Sequence, residues 1–568
     1  MAAHYTTKDL YGPGTFVDDD FIGVPSDARR LLRYLAAITP GFTTEEAALN
    51  DVEFSGEDLP LIPGPLKSQV FTAVLHAMIG VVAKEISTLK GVETGKIHVD
   101  TDKCGLYPAT VALVSIDGKG IGDIKTDGTL TKASLDVDKG CVSKNHMYVR
   151  SWAIYPTQDP QVWYQLMSNL NAPAFFKAYG IDGEAPVKTR EEAYEMIKST
   201  ISKYSAAELD IKNMENGFCG QTCFTPQHWR ETIMGKRLAT HPLIDYTQVK
   251  GTSTLPPVPF PQTNDTRPLA GIKVVELARV IAGPAMGAAL AALGADVIKV
   301  QSPNLPDLQP LSITLTAGKR TYALDLQKTA DRKALVDLMA GADVIIQAFR
   351  LRSLERKGFG LQDLVEISRQ RNKGIVYIDL NTYGPDGYYA ERPGFQQIAD
   401  AASGCSYVCG KAYGFEEGVS VLPALPVADM LAGAVGVVNV LLALRDRAAK
   451  GGSYHATSVL TSVDVIQLGE TFGLYSSETV KKIQDKFGFK PMTPDLHVED
   501  LLYILGEAWT KHPDILRRDG YMVTFENTVY GKKHTILSPI IRFDNDDVSP
   551  RWNHGPVGYC TSKHETWA

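Results

Sequence analysis

Two kinds of apolar periodicity alternate along this chain of 568 residues. Long runs such as SQVFTAVLHAMIGVVAKEI (Ser68 to Ile86) carry a helical period. Short runs such as ATVALVSI (Ala109 to Ile116) are compact and β-branched enough for strands. After residue 268 the alternation becomes regular. Apolar strands predicted at about 272–277, 296–300, 343–347 and 375–380 are separated by helical segments, which implies a parallel sheet with right-handed crossovers. A proline-rich passage, GTSTLPPVPFPQTNDTRP (Gly251 to Pro268), has neither period and reads as a linker. The predicted organisation is an α/β module over 1–250, a linker over 251–267, a Rossmann-like parallel-sheet module over 268–480, and a C-terminal segment over 481–568 that completes the fold.

The richest stretch is RPLAGIKVVELARVIAGPAMGAALAALGADVIKV (Arg267 to Val300): strand, small-residue turn, helix and second strand in direct succession. Gly283, Gly287 and Ala291 recur every four residues on one helical face. Two readings stay open for them. They permit close packing of the helix on the sheet, or they open helix N-terminal amides to an anionic ligand such as a phosphate. An internal repeat also emerges. The stretch Leu59 to Val99 parallels Leu422 to Val459, each with a proline-rich lead-in, a long apolar helix, a charged end, a glycine and a strand containing His98 or His455. Two related modules explain this, and so does chance likeness between two apolar helices.

Composition narrows the class. Hydrophobic residues at 44% and charged residues at 22% fit a globular protein, and a net charge of −7 argues against a nucleic-acid-binding surface. Seven cysteines, an odd and sparse set, do not suggest a disulfide framework, and no histidine spacing accompanies the two Cys-x-x-x-Cys pairs to make a metal site. No window of about 18 uncharged apolar residues occurs, so no membrane association is expected. MAAHYTTKDLYGPG lacks a basic, apolar leader and KHETWA is not a peroxisomal address, which makes the cytoplasm the expected location.

The block at 267–300 resembles the opening of the class III CoA-transferases, the family of formyl-CoA and carnitine-CoA transferases and the related α-methylacyl-CoA racemases. GKRTYALDLQ (Gly318 to Gln327), GADVIIQAFRLRSLERKGFG (Gly341 to Gly360), GIVYIDLNTYGPDGYYAERPGF (Gly374 to Phe395) and LPVADMLAGAVGVVNVLLALRDR (Leu425 to Arg447) continue the likeness in the family's order. It covers roughly 267–465, and a weaker likeness spans roughly 60–245. NGFCGQTCFTPQHW and then THPLID (Asn216 to Asp245) are similar to the family's C-terminal portion, and TILSPIIRFD (Thr535 to Asp544) to its final strand. The arrangement implies a truncated copy followed by one that carries the CoA-binding half.

Asp429 precedes a long apolar helix, where an aspartate commonly stabilises a helix start. The resemblance assigns it a second role, that of the family's nucleophile. It implies attack on an acyl-CoA thioester, a mixed anhydride, an aspartyl-CoA thioester and exchange with an incoming carboxylic acid, with CoA as substrate and no tightly bound cofactor or metal. Arg279, Val280, Ile281, Ala282 and Gly283 match the turn that follows adenosine and pantetheine in the family, and Phe349 and Arg350 match its Asn-Phe-Arg motif. Lys319, Arg320, Arg352, Arg356 and Lys357 are further candidates for the CoA phosphates. Departures are Ala348 for asparagine, Gln301 for glutamate and Gln396 for aspartate, and Lys67 or Ser68 stands where a first-copy nucleophile belongs. Two alternatives remain: a racemase-like isomerase, against which Phe395 counts because it cannot exchange a proton, and a non-catalytic acyl-CoA-binding protein. The family's interlocked dimers imply a homodimer.

Overall fold

The computed structural model describes residues 6–133, 144–562 and 564–567; residues 1–5, 134–143 (Cys141 among them), 563 and 568 lie outside the described residues. Three helices organise it: α1 (Ser68–Leu89), α2 (Ala282–Ala292) and α3 (Val427–Lys450). α1 and α3 pack against each other, and α3 also crosses α2. Both long helices are apolar enough to span a membrane by length and composition, yet 89% and 100% of their most apolar windows are buried inside the protein. They are apolar nearly all round because each is enclosed on every side. The α2–α3 crossing depends on glycine: a Cβ on Gly433 would stand 2.8 Å from the Ala282 carbonyl oxygen, and one on Gly436 would meet the Met286 side chain at 2.1 Å. Since Gly433 lies about one turn beyond Asp429, this close approach sets Asp429 beside the start of α2.

A small sheet pairs β1 (Val52–Ser55) in parallel with β2 (Ile97–Asp100), the strand that follows α1. The main sheet contains β3 (Asp245–Gln248), β4 (Lys273–Leu277), β5 (Asp296–Gln301), β6 (Lys319–Ala323), β7 (Val344–Gln347), β8 (Val376–Asn381) and β9 (Tyr454–Val459). Their spatial order is β3-β9-β8-β7-β4-β5-β6, with β4 to β9 parallel and β3 antiparallel at the edge. The four strands expected from the apolar runs coincide with β4, β5, β7 and β8. Such runs are legible because strands of a parallel sheet are covered on both faces.

The two halves exchange edge strands. β3, from the first half, pairs with β9, and β10 (Ile541–Phe543), near the C-terminus, runs antiparallel to β2. Residues 251–267 are no free tether between them. Leu255 and Phe260 are buried, the Val258 N–H donates to the Arg447 carbonyl at 3.2 Å, and the Gly452 N–H donates to the Leu255 carbonyl at 3.1 Å. The prolines forbid helix and strand, but the apolar residues among them are strapped along the end of α3.

Candidate active site

From β4 the chain moves to β5 and β6 on one side, then returns to β7 on the other, so the sheet order reverses between β4 and β7. Loops diverge at such a point and leave a crevice at the carboxyl ends of the strands. A cleft of about 500 Å³ opens there. The turn Arg279 to Gly283 forms one wall and Ala348 to Leu351, after β7, another. The end of β8, the segment Arg392 to Phe395 and Asn169 to Asn171 from the first half complete it. The turn is strained: Val280 adopts φ 66°, a left-handed conformation that β-branched residues avoid. It is held by the Val280 N–H donating to Asp307 Oδ1 at 3.1 Å and by Arg279 donating to the Pro306 carbonyl at 2.5 Å. The Arg279 guanidinium also lies 5.5 Å from the Phe349 ring centre, which orients a cation at the mouth.

Asp429 lines this cleft. It is the third residue of α3, whose N-cap is Pro426, and no side chain caps the helix, so Asp429 is not the N-cap residue. Its carboxylate has no hydrogen bond or ion pair among the described residues and is 7% exposed. Burial pushes its pKa up to about 7. A carboxylate in that state keeps its lone pairs free of donors and is a better nucleophile than a solvated one. Gln396 braces the approach to it: Nε2 donates to Asp400 Oδ2 at 2.6 Å and to the Leu425 carbonyl at 3.2 Å. The residue expected to be an aspartate is thus an amide, with a carboxylate one helical turn further on.

Of the other residues singled out in the sequence, Arg279, Val280, Ile281, Ala282, Gly283, Phe349 and Arg350 line the cleft, while Lys319, Arg320, Arg352 and Arg356 do not. Lys319 is fully buried below α2, where its Nζ contacts Glu276 at 2.5 Å and donates to the Pro284 carbonyl at 2.6 Å. Lys299 reaches the other oxygen of Glu276 at 2.9 Å and donates to the Ala278 carbonyl at 2.8 Å. The two lysines therefore pin the backbone on either side of the 279–283 turn. Arg320 pairs with Asp296 at 2.6 Å and Glu565 at 2.7 Å on the edge strand, and Arg356 projects into solvent. Lys357, from the same group of candidates, does line the cleft, and the fold adds Arg392, 4.4 Å from the Tyr389 ring centre and paired with Asp210 at 3.4 Å. Arg392 lies inside a quoted motif, but nothing in its local spacing marks it as facing the cleft. Asn169 and Asn171 had no sequence signal.

The model of CoA-transferase family III matches residues 269–485. An acyl-CoA transferase of Gibberella moniliformis is 45% identical over 98% of this chain and 98% of its own length. The chain belongs to CoA-transferase family III. Within the family it is also similar to an acetyl-coenzyme A transferase of Hypoxylon pulicicidum, 30% identical over 89% of this chain and 86% of that one. Among solved structures, a CAIB/BAIF family protein from Brucella suis aligns at TM-score 0.38 with 21% identity, covering 52% of this chain and 96% of that one. As a family III transferase the chain acts on CoA thioesters. Its motif departures sit in distinct places. Ala348 lines the cleft and packs below Gly283. Gln301 is buried away from it, accepting from the Cys560 N–H at 2.7 Å, and so belongs to the seating of the C-terminal segment.

Proposed function

We propose that this protein transfers CoA from an acyl-CoA to a small carboxylic acid, with Asp429 as nucleophile. The carrying observation is a buried, unpartnered carboxylate at a switch-point cleft whose walls bear Arg279, Arg350, Lys357 and Arg392. An Asp429 oxygen adds to the thioester carbonyl and CoA thiolate leaves, giving a mixed anhydride. The thiolate then attacks the Asp429 carbonyl carbon, which releases the first acid and forms an aspartyl-CoA thioester. The incoming carboxylate attacks that thioester, displaces thiolate and forms a new anhydride. Attack of thiolate on the new acyl carbon yields the product acyl-CoA and restores Asp429. Backbone amides at the start of α2 are suited to stabilise the oxyanions. Phe395, in the cleft wall, offers no proton for racemisation.

The first half reads as a truncated copy with no nucleophile, so one active site per chain is proposed. At the start of α1, Lys67 contacts Asp18 and lies 2.6 Å from Asp27, all three buried, and this ion cluster fills the position matching the lead-in to α3. The first half still serves the site through Asn169 to Asn171. To test the reading, the protein is incubated with acetyl-CoA, the adduct is located, and hydroxylamine is then added while free CoA thiol is followed. Thiol release and one hydroxylamine-labile adduct per chain, on Asp429, are expected; an adduct elsewhere, or two per chain, refutes the assignment. Because only ionised Asp429 attacks, kcat/KM rises with pH and levels off above about 7. A profile flat from pH 5 to 9 contradicts that ionisation.

A further inference from the structure

Behind the first turn of α3 lies a second, narrow cavity of about 70 Å³. α2 turns Ala285, Ala288, Ala289 and Ala292 toward it, one face at helical spacing, while Gly283 and Gly287 face the sheet. The small residues of α2 therefore do two jobs on two faces: the glycines allow close packing, and the alanines leave space. One apolar cluster joins the lining of this cavity to that of the cleft. Ile281, which lines the cleft, packs in one apolar cluster with Met430, Ala285 and Leu315, which line the cavity. Met430 directly follows Asp429. Its thioether chain has three rotatable bonds and is the most adaptable member of the cluster.

The lining also carries an unused polar group. His76 of α1 is 6% exposed, and its Nδ1 lies 2.9 Å from the Thr72 carbonyl of its own helix, so Nδ1 carries the proton. The opposite nitrogen, Nε2, has no hydrogen-bond partner among the described residues, and the ring lines the cavity, edge-on to Tyr107 at 4.5 Å. Burial holds the ring's pKa down at about 4, so it is neutral near pH 7 and Nε2 is an open acceptor. Set among mostly apolar lining residues, that acceptor is placed to receive a hydrogen bond from a donor that enters the cavity.

We infer that this cavity takes the tail of the acyl group carried on CoA, an aliphatic chain that passes Met430 and ends in a hydrogen-bond donor such as a hydroxyl at His76. The inference rests on the transferase reading and adds the class of acyl group to it. The test is hydroxylamine-dependent release of CoA by the full chain from straight acyl-CoAs of two to ten carbons, each with and without a terminal hydroxyl. kcat/KM rises with length to one optimum, where the hydroxyl adds roughly a further 5-fold, the effect of one hydrogen bond. Ala288→Leu fills the cavity and lowers kcat/KM at the optimum at least roughly 10-fold, the scale set by excluding a few buried methylenes, while acetyl-CoA turnover is unchanged. His76→Leu removes the hydroxyl preference and spares the unsubstituted chain. Acetyl-CoA turnover in each variant reports that it is folded. A flat length profile, or an Ala288→Leu loss equal for short and long chains, overturns the inference and leaves the transferase reading standing. Failure of the unaltered protein to release CoA from any of these thioesters overturns both.

Discussion

Asp429→Asn abolishes hydroxylamine-dependent CoA release, with kcat/KM falling by at least about 10³-fold, and at the same time makes the protein more stable at alkaline pH. The amide has the same shape, but it cannot form an anhydride. The stability gain follows from the cost of holding a charge in a dry site. Unfolded, the carboxyl titrates near 3.8; folded, it titrates at about 7. Between those values the folded protein keeps a proton that the unfolded chain has released, so stability falls as pH rises through the window, and the full penalty remains above it. At about 1.4 kcal/mol per pH unit, the variant gains on the order of 4 kcal/mol at pH 8 and almost nothing near pH 4. Urea unfolding of both proteins at the two pH values reads this difference. Equal stability at pH 8 rules out a buried, unsatisfied carboxylate, and retained CoA release rules out Asp429 as nucleophile.

Glu276→Gln has the largest expected structural effect, a loss of about 3–5 kcal/mol, because it leaves Lys299 and Lys319 buried side by side without a counter-charge. The triple replacement Glu276→Leu, Lys299→Met and Lys319→Met recovers most of the stability, since an apolar trio needs no charge balance. Recovery does not extend to substrate binding. The lysines also hold the Ala278 and Pro284 carbonyls, so without them the turn carrying Arg279 to Gly283 loosens and KM for acyl-CoA stays raised. Denaturation midpoints alongside KM separate the two roles. A Glu276→Gln protein as stable as the parent shows that the lysines are neutral without it, and a triple variant with normal KM frees the turn from their control.

Lys319 illustrates how site reading from sequence goes astray. It occupies a motif position at the start of a strand, where a phosphate-binding cation is chemically reasonable, yet the strand points it beneath α2. Nothing in GKRTYALDLQ tells which of Lys319 and Arg320 faces inward, since alternate residues on a strand take opposite faces and the register is set by neighbouring strands. Arg392 shows the reverse. Its exposure to the cleft arises from packing on Tyr389 and pairing with Asp210, which is 182 residues earlier in the chain.

By itself the sequence determined the parallel strands, the apolar helices and the small-residue turn. Each of these is a local consequence of burial: covered strands need continuous apolar runs, and close helix crossings need glycine or alanine at fixed spacing. It also placed Asp429 at the head of its helix, because helix start and residue type are both local. Tertiary structure alone decided which cations face the cleft, that Asn169 to Asn171 complete it, and that β3 and β10 are exchanged between halves. Those outcomes depend on contacts between residues hundreds of positions apart, whose energies come from the surfaces brought together and leave no period or motif in the segments that supply them.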